Sequence, residues 1–110
     1  MSISTRRHGK VCVLEVSGRF DAHMAPAVKE WQDRAEGTTN TLVDMRGVTF
    51  IDSAALAILI RGMKRCRQQG GELRLYGLQK PVRIIFELTK LDKAFETFVA
   101  EDEAIRAFGA

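Results

Sequence analysis

Ser53 is the residue whose type and setting come closest to chemistry. It follows Phe50-Ile51-Asp52 and opens the run Ser53-Ala54-Ala55-Leu56-Ala57-Ile58-Leu59-Ile60, so a hydroxyl stands where a strongly apolar helix begins. The first turn of a helix offers unpaired backbone N–H groups and the positive end of its dipole, and both favour an added anion. A serine there serves as a helix cap worth about 1 kcal/mol, or as a phosphoryl acceptor, and one hydroxyl can do both in turn. Asp52 can share or take over the cap. Its alternative roles are to orient the Ser53 hydroxyl or to help hold a metal-bound phosphate during transfer. A phosphoserine would place nearly two negative charges beside Asp52.

No other constellation supports catalysis, and the chain reads as non-enzymatic with no cofactor. His8 and His23 sit early in the chain, without ligand-spaced partners for a metal or a motif linking them to Ser53. Gly70-Gly71 is too sparse for a phosphate loop. Asp44 and Asp52 are two carboxylates, but Asp44 falls in a strand and nothing sets a substrate between them. Cys12 and Cys66 have no paired spacing and read as small buried hydrophobes, with a disulfide as the minor reading.

The elements that must position Ser53 follow from periodicity. Ile3 to Arg7 is expected to pair as a hairpin edge with a strand at Val11–Val16, bounded by Gly9 and Gly18. A helix is predicted over Ala22–Glu36, with Val28, Trp31 and Ala35 inward, Asp21 as cap, Pro26 in its first turn and Gly37 as its stop. Thr41–Met45 reads as a central strand, followed by an Arg46-Gly47 turn and a partner strand Val48–Ile51. Ser53–Gln69 is a long helix closed by Gly70-Gly71. Glu72–Tyr76 alternates as a half-exposed strand. Pro81 opens a helix with Val82, Ile85, Phe86 and Leu88 inward. Leu91–Ala94 connects to a short strand at Phe95–Val99 and a last helix at Glu101–Phe108, whose first turn is acidic.

This order gives an α/β fold: one domain over residues 1–110, with a mixed four- to five-stranded sheet packed with about four helices. With 110 residues, 45% hydrophobic and 28% charged, the chain suffices for one core. The net charge of +3 is too weak to argue nucleic-acid binding. No apolar run approaches the roughly 20 residues of a membrane span, and MSISTRRHGK is not followed by the apolar stretch of a secretory signal. The expected location is therefore the cytoplasm.

At helical spacing Ala55, Leu56, Leu59, Met63 and Cys66 share the core face of the Ser53 helix. The opposite stripe carries Ser53, Ala57, Arg61, Lys64 and Gln68, flanked by Ala54 and Arg65. Ala54 and Ala57 would leave a flat shelf that another protein could approach closely. The basic run Arg61, Lys64, Arg65 and Arg67 reads as a solvated face or as a contact for an acidic partner.

Gly18-Arg19-Phe20-Asp21 and Leu42-Val43-Asp44-Met45-Arg46-Gly47-Val48-Thr49-Phe50-Ile51-Asp52-Ser53, with Gly70-Gly71-Glu72-Leu73, Lys80-Pro81-Val82 and Leu88–Leu91, resemble the STAS domain family of anti-sigma factor antagonists across nearly the whole chain. The resemblance implies partner switching in a bacterial cytoplasm. The unmodified protein binds an anti-sigma factor that is also a serine kinase, which releases a sigma factor. That kinase phosphorylates Ser53, and a PP2C-type phosphatase reverses the step. It implies a docking surface of Asp21, Asp52, Ser53, Ala54, Ala57, Arg61 and Lys64 on a monomer or weak dimer. The family's second hydroxyl residue and following glycine are here Ala54 and Ala55, which leaves Ser53 as the one acceptor and points an added Cβ inward. A second implied role is that of a STAS subunit of an ABC-type lipid transport system, binding the ATPase without phosphorylation.

Overall fold

The computed structural model describes residues 2–34 and 39–109. β1 (Ser2–His8) and β2 (Val11–Phe20) form the expected hairpin, in which Ser2 faces Ser17 and His8 faces Val11. Helix α1 (Ala25–Arg34) leads to β3 (Asn40–Ile51), α2 (Ser53–Gln68) and β4 (Glu72–Tyr76). Helix α3 (Lys80–Leu88), a 3₁₀ turn at Leu91–Lys93, β5 (Thr97–Phe98) and α4 (Glu101–Arg106) complete the described chain. The sheet order is β1-β2-β3-β4-β5, with β1 antiparallel and every later pairing parallel. This is the mixed sheet with four helices expected from the element order.

Side chains alternate in direction along the continuously buried centres of β2 and β3, which divides the interior between the two faces of the sheet. Leu14, Val16, Val43, Met45 and Ile51 point to the face covered by α1, α2 and α3. There they meet Val28, Leu59, Met63, Val82 and Phe86. Val11, Val13, Leu42 and Tyr76 point to the other face and pack under Ala104 and Ile105 of α4.

The structure corrects several boundaries. The Arg46-Gly47 turn does not exist: β3 runs unbroken from Asn40 to Ile51. Gly47 is there because β2 passes so close that a Cβ would lie 2.8 Å from the Ser17 Cβ, beside a register shift between Glu15 and Ser17. Gly18, at φ +89° beside a second register shift between Gly18 and Arg19, also sits inside β2 instead of ending it. Helix α1 starts at Ala25, three residues later than expected, because residues 22–24 form a turn. The Ala35, Glu36 and Gly37 expectations fall outside the described residues.

Leu88 is 74% exposed, not inward. It lies two positions past buried Phe86, about 200° around the helix. Phe95 and Val99 are not part of β5. Phe95 leaves the strand to pack edge-on against Phe86 at 5.9 Å, and Val99 is exposed. The final helix stops at Arg106, not Phe108. Cys12 and Cys66 are both buried free thiols, as small hydrophobes should be.

Candidate functional site

All four parallel strands end at the same edge of the sheet, and there the chain brings Gly18-Arg19-Phe20-Asp21 against Phe50-Ile51-Asp52-Ser53. Asp52 is the keystone. Its backbone N–H donates to the Phe20 carbonyl at 3.3 Å, which continues the β2–β3 pairing one residue past the end of β3. Its own backbone is extended, and its Oδ1 accepts the Ala55 N–H at 3.0 Å, the bond of a helix N-cap. Its Oδ2 accepts the Ala22 N–H at 3.0 Å, tying the loop between β2 and α1 to the start of α2.

Asp52, not Ser53, is therefore the cap. Ser53 is the first residue of α2 and is exposed, with its hydroxyl outside the capping bond. Ala55, whose N–H is capped, is fully buried with its methyl in the core, as the inward placement predicted.

Asp21 shapes the neighbouring loop. Its Oδ1 accepts the N–H groups of His23 at 3.1 Å and Met24 at 3.3 Å, and its carbonyl accepts those of Met24 and Ala25 at 3.0 and 2.8 Å. Oδ2 lies 3.7 Å from the Arg19 Nε. The Arg19 guanidinium in turn stacks on the Phe50 ring, 3.9 Å from its centroid, and Phe50 is 38% exposed. An exposed Arg–Phe stack three residues before Ser53 was not anticipated; its one sequence signal is that Arg19 and Phe50 become register partners once β2 extends to Phe20.

Down the outer face of α2, Ser53, Ala57 and Lys64 are exposed and Ala54 is half-buried, so the small-residue shelf exists. The basic run is less available than its sequence suggests. Arg61 donates to the Gln32 Oε1 at 2.7 Å and to the Asp33 carboxylate at 2.5 Å. Arg65 lies 3.9 Å from Asp33, and Arg67 pairs with Glu72 at 2.9 Å. The Arg61 hydrogen bond holds the Asp33 carboxyl below the usual carboxylate range. Arg61 is thus a clasp between α1 and α2, while Lys64 stays on the exposed stripe.

Gln32, buried in α1, completes this clasp by donating to the Ile58 carbonyl of α2 at 3.1 Å. Gly62 makes room for it, since a Cβ there would lie 2.6 Å from the Gln32 Nε2. A glycine inside an otherwise apolar helix was the available signal for this close approach.

Asp44 belongs to a different structure. It is 4% exposed on the α4 side of the sheet, eight residues before Asp52, a separation of about 25 Å along extended chain. The two carboxylates form no pair. Burial pushes the Asp44 carboxyl up, but bonds from the Arg46 side chain and backbone N–H, with a contribution from the Tyr76 hydroxyl, hold it below the usual range. Burial and the Asp44 charge push the Tyr76 phenol up. Tyr76 and Arg6 both donate to Glu101, so the network fastens α4 to the sheet.

A mixed sheet with helices on both faces defines a single-domain α/β protein, with an exposed serine at the start of α2. Residues 2–104 match the STAS domain family, and the chain belongs to it. It is 32% identical over 90 residues to the anti-sigma-B factor antagonist of Listeria monocytogenes, covering 80% of this chain and 79% of that one. An anti-sigma factor antagonist from Mycobacterium paratuberculosis superposes with a TM-score of 0.87 at 27% identity, covering 99% of this chain and 94% of that one. A sulfate transporter family protein from Wolinella succinogenes has the same fold, with a TM-score of 0.81 at 23% identity, covering 93% and 87% of the two chains. The fold alone therefore leaves the role open. Among the described residues no helix is long and apolar enough to cross a membrane.

Proposed function

We propose that this chain is an anti-sigma factor antagonist that switches partners through Ser53, in a bacterial cytoplasm. Unmodified, it docks an anti-sigma factor with serine kinase activity on a surface formed by Asp21, Asp52, Ser53, Ala54, Ala57, Arg61 and Lys64. Phosphorylation of Ser53 ejects it, and a PP2C-type phosphatase restores it. The observation that carries this reading is that Asp52 supplies the helix cap, which leaves the Ser53 hydroxyl exposed and free of a folding role.

Within this surface Asp21 and Arg61 act through position. The oxygens of Asp21 are engaged in the loop, and Arg61 in the clasp to α1. Ala54, Ala57 and Lys64 offer direct contact.

Charge distances explain why a phosphate would repel a partner instead of being absorbed by the chain. Arg61 and Lys64 lie eight and eleven residues along α2, roughly 12 and 16 Å away by helical rise. Both distances exceed the roughly 8 Å screening length at physiological salt. The near neighbours Asp52 and Asp21 are acidic, and the cation at this edge, Arg19, already faces Asp21 and the Phe50 ring. A phosphoryl dianion, met only in part by the N–H groups of the first turn of α2, therefore leaves net negative charge at the centre of an otherwise flat docking face, where like charge against a partner carboxylate costs several kcal/mol.

The test is retrieval from native extract on three baits: wild type, Ser53→Ala and Ser53→Glu. The reading requires an anti-sigma serine kinase on the first two and its loss from the third. Retention of one transporter ATPase by all three would instead identify a transport subunit.

A further inference from the structure

We infer that phosphorylation of Ser53 does more than add charge: it releases the loop between β2 and α1 by breaking the hold of Asp52 on Ala22. The inference rests on Ser53 being the phosphoacceptor. It concerns what the modification does to this chain, and it requires no partner.

The Asp52 carboxylate divides its two oxygens between two segments distant in sequence: Oδ1 on the Ala55 N–H within α2, and Oδ2 on the Ala22 N–H of the loop, 30 residues before Asp52. Ala22 is exposed, and residues 22–24 form a turn, not a helix, so little packing holds this amide in place. The rest of the loop is held from within, by Asp21 on His23 and Met24. The Asp52–Ala22 bond is thus the side-chain link from the α2 start to this loop.

A phosphate on the adjacent Ser53 competes with Asp52 for the N–H groups of the first helical turn, because it carries more charge and three acceptor oxygens. It also repels the Asp52 carboxylate. Displaced from its place between the two segments, Asp52 can no longer hold Ala22. Asp21 precedes Ala22 in the same loop and pairs with Arg19, which stacks on the exposed ring of Phe50. The loop at Ala22 then loses its side-chain tie to α2, while the β2–β3 pairing keeps the Arg19–Phe50 stack in place. One modification would alter both the charge and the shape of the docking face.

The experiment places phosphoserine at position 53 during synthesis, so that no kinase is needed, and measures amide hydrogen exchange by NMR. The expected result is a rise in exchange at Ala22 of about tenfold, the scale of repulsion between a dianion and a carboxylate at this range in water. The central amide of Leu75, which donates to Glu96, serves as the control and stays unchanged. Asp52→Asn retains one acceptor oxygen in place of two, so it should raise Ala22 exchange without phosphate and make added phosphate ineffective there. Unchanged exchange at Ala22 in the phosphorylated chain overturns the inference, as does an equal rise at Leu75. Neither result bears on whether a kinase uses Ser53, which is read separately as phosphate incorporation into wild type but not Ser53→Ala.

Discussion

Replacing Asp52 with alanine should destabilise the fold far more than replacing Ser53, although the two residues are adjacent and both are good capping types. Asp52→Ala removes the cap on Ala55 and the bond to Ala22. The cap is worth about 1 kcal/mol, and a hydrogen bond to a charged acceptor, discounted for the exposure of Ala22, contributes about 1 kcal/mol more. The expected loss is about 2 kcal/mol. For a chain of this size each kcal/mol moves the midpoint by about 4 °C, so thermal unfolding followed by circular dichroism should show a drop of about 8 °C. Ser53→Ala removes only an exposed hydroxyl at the first helical position, and its effect should stay within about 0.5 kcal/mol, or about 2 °C. A drop for Ser53→Ala equal to that for Asp52→Ala would refute the assignment, because it would make Ser53 the cap and remove the reason its hydroxyl is spare.

Four further outcomes test the surrounding structure. Wild-type stability should fall as pH drops below about 3.9, because the depressed Asp44 carboxyl contributes above its unfolded value and loses that contribution as it protonates. Arg46→Ala should cost about 2 kcal/mol at pH 7 by leaving the buried Asp44 charge unpaired, and the deficit should shrink as pH falls toward about 4; urea melts at several pH values read both trends. Gly62→Ala should lower stability by about 1 kcal/mol despite alanine's better helix propensity, because its methyl meets Gln32 and Leu73, and Gln32→Ala in the same chain should recover part of the loss in a thermal melt. In Arg61→Ala the Asp33 carboxyl should titrate at higher pH than in wild type, followed by NMR of its side-chain carbonyl.

Legibility in the sequence tracked how local each signal was. The strand at Glu72–Tyr76 had one polar–apolar alternation and glycines on both sides, and its predicted bounds match the structure. The start of α2 was equally plain, because a long apolar periodicity begins there. Which of Asp52 and Ser53 caps it was not legible, since both types cap well and periodicity cannot separate neighbouring residues. Gly47 misled for a related reason: a glycine needed for close approach between strands reads the same as a glycine needed for a turn. Arg61 looked like a free cation because its partner Asp33 lies 28 residues earlier on another helix. The Arg19–Phe50 stack was hidden likewise, because it depends on β2 and β3 pairing to their ends through two register shifts.

The central claim is that the modification state of Ser53 decides binding. The most direct measurement is calorimetric titration of the anti-sigma factor recovered on the wild-type bait against the unmodified chain and against the chain carrying phosphoserine at position 53. The account predicts tight binding by the unmodified chain and a loss of about a hundredfold or more with phosphate, since a dianion only partly met by the start of α2 would stand inside the interface. Equal affinity for the two forms would contradict it and reduce Ser53 to an ordinary surface residue beside the cap.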